Sequence, residues 1–161
     1  MKVMSRWGKN VNLNSPLQEY PRMQLQRGSY TNLNGHWEYQ ITDTNQLPYE
    51  HNWKPINVPF PLGSQLSGSD EILLPGKVLW YKKQFSYKPG EYHTYLNFEA
   101  VDQQCIVYLN GIEVGRHIGG YEPFSFDVSS YIKYQNALLV KCTDPSDTGE
   151  YAYGKQKIQH G

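Results

Sequence analysis

Apolar and polar residues alternate with a period of two along the second half of the chain, and that period predicts β-strands. Residues 78–85 alternate in their later part, setting Tyr81, Lys83 and Phe85 on one face. Residues 95–100 put Leu96, Phe98 and Ala100 on one side. Residues 105–109 run into Asn110-Gly111 and then into 112–115. An Asn-Gly pair between apolar runs predicts a tight hairpin, because both residues tolerate positive φ. A last run, 137–143, stops at Asp144-Pro145, where proline removes a ladder donor. In the first half, 33–41 reads as a turn feeding a strand with Trp37, Tyr39 and Ile41 on one face. Residues 48–76 hold Pro48, Pro55, Pro59, Pro61 and Pro75 and read as a long loop with short strands. Short strands separated by turn signals predict an all-β sandwich or barrel. The expected organisation is an extended arm over 1–19 followed by one domain over 20–161.

Composition agrees with strands rather than helices. Three alanines stand against fourteen tyrosines, fourteen glycines and ten prolines, which disfavours a helical bundle. A chain of 161 residues with 39% hydrophobic side chains should bury roughly 70% of its unfolded surface, enough for one core without metal or disulfide staples. Fifteen basic and fifteen acidic residues cancel, which gives no electrostatic case for nucleic acid or an acidic membrane face, both of which reward clustered positive charge. No apolar run approaches the span of about 20 residues that crosses a bilayer. Residues 1–8 lack the apolar core of a secretory signal. Cys105 and Cys142 each sit in an apolar run, with no CxxC spacing. They are expected to be reduced core thiols, which fits a cytoplasmic protein.

Searching for catalytic chemistry finds no GxSxG, HExxH, phosphate loop or dinucleotide fingerprint. The five histidines include no pair at i, i+4, so neither a metal nor a cofactor is expected. Glycoside hydrolysis needs two carboxylates on opposite sides of a sugar, and the acidic residues stand in no such frame. Glu122 before Pro123 reads as a turn entering a strand. Aromatic side chains are the remaining candidates. Trp37 and Trp80, at alternating positions, are expected in the core. Trp53, inside the proline-rich loop, is the better candidate for an exposed sugar platform.

Several motifs occur in an order that resembles the opening of glycoside hydrolase family 2 enzymes. They are Tyr20-Pro21-Arg22-Met23-Gln24-Leu25-Gln26-Arg27, Leu33-Asn34-Gly35-His36-Trp37, Val58-Pro59-Phe60-Pro61-Leu62-Gly63-Ser64-Gln65-Leu66, and Trp80-Tyr81-Lys82-Lys83. The set continues with Phe98-Glu99-Ala100-Val101-Asp102, Val107-Tyr108-Leu109-Asn110-Gly111, Gly119-Gly120-Tyr121-Glu122-Pro123-Phe124 and Asp144-Pro145-Ser146-Asp147. The likeness runs from about Tyr20 to Gln156.

The resemblance implies a jelly-roll β-sandwich of the galactose-binding-domain type, the N-terminal sugar-binding domain of a β-galactosidase or β-glucuronidase. It implies that the catalytic glutamates belong to a later (β/α)₈ barrel, and that the last strand of the sandwich is truncated at Gly161. Gly63 stands where relatives often carry a carboxylate. The expected role is non-catalytic: a wall of another domain's cleft in an enzyme hydrolysing O-glycosyl bonds. Its expected partners are the remaining domains of that glycosidase and, weakly or indirectly, carbohydrate. The edge left by the missing strand is expected to be covered by the arm or by a second copy of the chain, or else to be frayed. The alternative is an autonomous carbohydrate-binding or structural interaction module. Candidate sugar-binding or cleft-lining residues are Trp53, Phe60, Gln65, Lys155 and Gln156.

Overall fold

A computed structural model describes residues 4–19, 24, 28–43, 46–146 and 148. Its contacts divide the chain into two units, Met1–Trp37 with Pro55–Glu71, and Glu38–Lys54 with Ile72–Gly161. The strands among the described residues are β1 (Gly35–Asp43), β2 (Lys54–Val58), β3 (Lys77–Ser86), β4 (Tyr95–Phe98), β5 (Gln104–Leu109), β6 (Ile112–Ile118), β7 (Phe124–Asp127) and β8 (Gln135–Thr143).

The larger unit is a sandwich. One layer runs β1-β3-β8-β5-β6, and the other is β4 beside β7. All of these pairings are antiparallel, so residues directly opposite share a face. One row crosses the large sheet as Tyr39, Tyr81, Val140, Val107 and Gly115, and its neighbour as Ile41, Leu79, Cys142, Cys105 and His117. These rows form the inner face. The β4-β7 pair covers the β6 end of it with Phe98, Phe124 and Phe126. Phe124 stacks 4.0 Å from the His117 ring and 5.0 Å from Phe98. A Cβ on Gly115 would overlap the Phe126 ring, so the absent side chain is what lets the two layers meet. Val107, Leu109, Leu138 and Val128 are buried in this core.

The predicted hairpin forms as expected. Asn110 and Gly111 both take positive φ, 54° and 83°, the geometry whose twist matches paired strands. The Asn110 amide also anchors the turn, donating to Tyr131 O at 2.9 Å and to Asn136 Oδ1 at 3.0 Å. Cys105 and Cys142 are free, buried and directly opposite one another. Burial pushes the Cys105 thiol up to about 11, and pushes Cys142 and the Tyr81 phenol higher still. The strand expected over 95–100 ends at Phe98.

In the smaller unit a 3₁₀ turn, Gly8–Asn10, lies within the first nineteen residues. His36 Nε2 lies 2.8 Å from Asn14 Oδ1, and Trp37 Nε1 donates to Leu33 O at 2.7 Å. Residues 57–71 are knit around Ser67, which is fully buried. The Ser67 hydroxyl donates to Ser64 O and accepts from Ser69 N, while Asn57 N donates to Ser67 O at 2.9 Å. Proline-rich loops hold a fixed shape when their backbone donors find partners of this kind.

Candidate functional site

The outer face of the large sheet carries different chemistry. One row reads Gln40, Trp80, Lys141 and Ile106, and the next reads Glu38, Lys82, Leu139 and Tyr108. Most outer faces of antiparallel sheets meet water. Here Gln40, Thr42 and Trp80 are buried, because the segment after β1 folds back over them. The carboxamide of Gln40 fastens that segment. Its Nε2 donates to Tyr49 O at 3.2 Å and to His51 O at 3.0 Å, and its Oε1 accepts from Tyr49 N at 2.7 Å. Trp80 Nε1 donates to Thr42 Oγ1 at 2.9 Å, and Thr42 Oγ1 donates in turn to Gln46 O. The indole plane is therefore fixed through the same segment.

Between this segment and the sheet lies a cavity of about 560 Å³, within the usual range for small-molecule pockets. Trp80, Tyr108 and Leu139 lie at its base, Trp53, Tyr49 and Leu47 at its walls, and Lys82 and Glu50 supply its charges. All of its lining belongs to the larger unit. Lys82 Nζ sits 4.3 Å from the centre of the Trp53 ring and 2.8 Å from Glu38 Oε2. The Trp80 and Tyr108 rings are 6.4 Å apart and tilted by 32°. Glu50 is the acidic residue of the lining, so among the described residues this pocket lacks the facing carboxylate pair that glycoside hydrolysis uses.

A smaller cavity of about 190 Å³ is lined by Tyr92, His93, Thr94 and Ser129, among others. Ser129, His93 and Asp127 meet beside it, but their order is wrong for nucleophile activation. Asp127 is central: it accepts from Ser129 Oγ at 2.6 Å and Ser129 N at 2.9 Å, and from His93 Nδ1 at 2.8 Å. Those three donors hold its carboxyl down at about 2, the Ser129 hydroxyl contributing most. A triad needs histidine between the acid and the nucleophile. This constellation instead ties the strand β7 exit to residues 93–94. Among the described residues no group of three or more metal-ligating side chains gathers.

Of the residues singled out from sequence, Trp53 lines the large pocket, partly buried. Phe60 and Gln65 lie in the smaller unit, Phe60 partly buried and Gln65 exposed on a turn whose carbonyl accepts from Gly68 N. Lys155, Gln156, the final strand and most of the Tyr20–Arg27 motif lie outside the described residues. Trp80 is buried as expected, yet it packs on the outer face and floors the pocket. Gln40, Lys82 and Tyr108 were not anticipated. Strand alternation places Trp80 and Lys82 on a common face, but only the fold of the preceding loop reveals that this face is covered.

The larger unit is thus a two-layer antiparallel sandwich with a loop-walled, aromatic pocket whose lining holds one acidic residue. A family model described as "Glycosyl hydrolase 2 galactose-binding domain-like" matches residues 71–160, more than half of the chain, and the chain belongs to that family. A putative beta-glucuronidase of Formosa agariphila is 34% identical over 125 residues, covering 72% of this chain and 15% of that protein. A beta-galactosidase of Thermoanaerobacter pseudethanolicus is 48% identical over 63 residues, 37% of this chain and 8% of that protein. The structure of Bifidobacterium dentium beta-glucuronidase complexed with coumarin-3-O-glucuronide aligns with TM-score 0.59 and 28% identity, over 69% of this chain and 19% of that one. The chain thus spans less than a quarter of the length of each of these relatives.

Proposed function

We propose that this chain is the non-catalytic N-terminal domain of a glycoside hydrolase of β-glucuronidase or β-galactosidase type, and that it walls the cleft of a separate catalytic barrel. The observation that carries the reading is the family match over 71–160, joined to the small fraction of each relative that the chain spans. Physical chemistry supports the division of labour. Retaining hydrolysis needs two carboxylates held about 5 to 5.5 Å apart on a rigid scaffold, which barrel strand ends provide. A sandwich with stiff loops instead narrows a cleft mouth, excludes water and limits substrate length. The partners are then the remaining domains of the hydrolase. The two buried thiols support a reducing, cytoplasmic setting.

The test is hydrolysis of p-nitrophenyl β-D-galactoside and p-nitrophenyl β-D-glucuronide by the purified 161-residue chain, prepared from a host lacking both activities. No turnover is expected from the chain alone, and turnover of one of the two is expected once the chain is joined to its barrel. Saturable turnover by the chain alone would overturn the reading.

A further inference from the structure

We propose that Cys105 and Cys142 form a latent cross-strand disulfide, closed by exchange with a small disulfide such as oxidised glutathione when the chain folds under oxidising conditions. This goes beyond the cleft-wall reading and does not depend on it. The two cysteines are directly opposite on β5 and β8, so their side chains leave the same face of the sheet. Opposite positions of an antiparallel pair alternate between two kinds, and the kind without direct hydrogen bonds brings the backbones closer, to a Cα separation of about 4.5 Å. Hydrogen bonds on both sides of β8 assign the cysteines to that kind. Asn110 N donates at 2.8 Å to the O of Ala137, the residue opposite it. Direct bonding then recurs at Tyr108 with Leu139 and Ile106 with Lys141, along an uninterrupted register, and skips Cys105 with Cys142. On the other flank Tyr87 N donates at 2.9 Å to Tyr134 O, and the same count of two along β3 and β8 reaches Leu79 with Cys142. The backbone of Cys142 therefore bonds towards β3 and leaves its β5 side unbonded.

A disulfide spans Cα separations of about 4.4–6.8 Å, so the register already holds the pair at bridging distance. The step balances. A thiolate of one cysteine attacks a sulfur of oxidised glutathione, forming a mixed disulfide and expelling one glutathione thiolate. The second cysteine, deprotonated in turn, attacks the protein-side sulfur and expels the other glutathione. The two cysteine thiols lose two electrons and two protons, and one glutathione disulfide gains them as two thiols. Exchange needs access to the sulfur, and each cysteine is only 3% exposed. The pair therefore closes as the chain folds and is sealed afterwards, so the sheet retains the redox state in which it formed. The bridge joins β5 to β8 and closes a loop that contains β6 and β7, which restricts the unfolded chain.

The experiment refolds the 161-residue chain from urea, once with a mixture of oxidised and reduced glutathione and once with excess dithiothreitol. Each product is unfolded, alkylated with iodoacetamide and weighed intact by mass spectrometry. The glutathione product is expected to be a monomer that takes up no alkyl group, and the dithiothreitol product to take up one on each cysteine. The chain has no other cysteine, so an internal bridge in a monomer is this one. Urea titration of the two products then tests whether the fold accepts the bridge. Within the transition, the ratio of unfolded to folded chain is expected to fall about thirtyfold on bridging. With Cys142→Ala the urea midpoint should no longer depend on how the chain was refolded. A free dithiol, a glutathione adduct or a disulfide-linked dimer as the main product would overturn the proposal. So would a bridged chain that unfolds at the same or lower urea than the dithiol, a comparison that needs no variant. Hydrolytic activity is not read here, so failure of the bridge leaves the cleft-wall reading standing, and the reverse also holds.

Discussion

Gln40 and Tyr49 are bound to each other in both directions: the Gln40 carboxamide accepts from Tyr49 N at 2.7 Å and donates to Tyr49 O at 3.2 Å. One side chain on a sheet thus substitutes for a strand partner and gives the neighbouring loop its shape. Gln40→Ala removes the donors and acceptor together and leaves backbone groups of 49 and 51 without them. A loss of about 2 kcal/mol is expected, the usual range for stranding a buried polar group. Urea denaturation measures it, and Gln40→Glu should not restore stability at neutral pH, since a carboxylate cannot donate to the two carbonyls.

Gly115 faces the Phe126 ring across the two layers of the sandwich. Gly115→Ala sets a methyl group into the Phe126 ring, and overpacking of this kind costs about 1–3 kcal/mol. Combining it with Phe126→Leu should cost less than the sum of the two single changes. A double-mutant cycle by chemical denaturation detects the coupling. Simple additivity would show that the two side chains do not compete for one space.

Asp127 links pH to stability through an exposed contact. Its carboxyl sits at about 2 when folded and at about 3.9 when unfolded. The native state therefore holds its proton less tightly. The stabilisation is fully present above about pH 4 and drains away as pH falls towards about 2. Ser129→Ala removes the largest cause and should raise the carboxyl's midpoint, read directly from the ¹³C shift of the Asp127 side chain. An unchanged midpoint would mean that the serine does not hold the carboxylate.

Cys105 and Cys142 should be inert in the folded protein. Burial raises both thiols, and the thiolate is the reactive form. At pH 8 an aromatic disulfide reagent is expected to label neither cysteine natively and both in urea. Rapid native labelling would show that this row of the core is open to solvent.

Much of the sandwich was legible because alternation is a local signal. Trp37, Tyr39 and Ile41 share a face as their spacing implies, and Tyr81, Lys83 and Phe85 do too, since β1 and β3 pair in register with Tyr39 opposite Tyr81. The Asn110-Gly111 turn was legible for the same reason. The pocket was not. Gln40 and Thr42 occupy positions that alternation assigns to the solvent side, and nothing local reports that the segment at 46–53 returns to bury them. Trp53 reads from the sequence as a candidate platform, and what the sequence does not report is the Lys82 ammonium, from a strand some thirty positions along the chain, lying over its ring. Cross-sheet chemistry of this kind depends on loop closure rather than on period.

The most direct test of the account is a structure of the hydrolase that contains this domain, determined with a β-glycoside-mimicking inhibitor in its catalytic barrel. The account predicts both catalytic carboxylates on the barrel and this sandwich standing at the cleft, with a loop of the domain in contact with its rim. A domain held away from the cleft, or an inhibitor seated between two carboxylates of this chain, would contradict it.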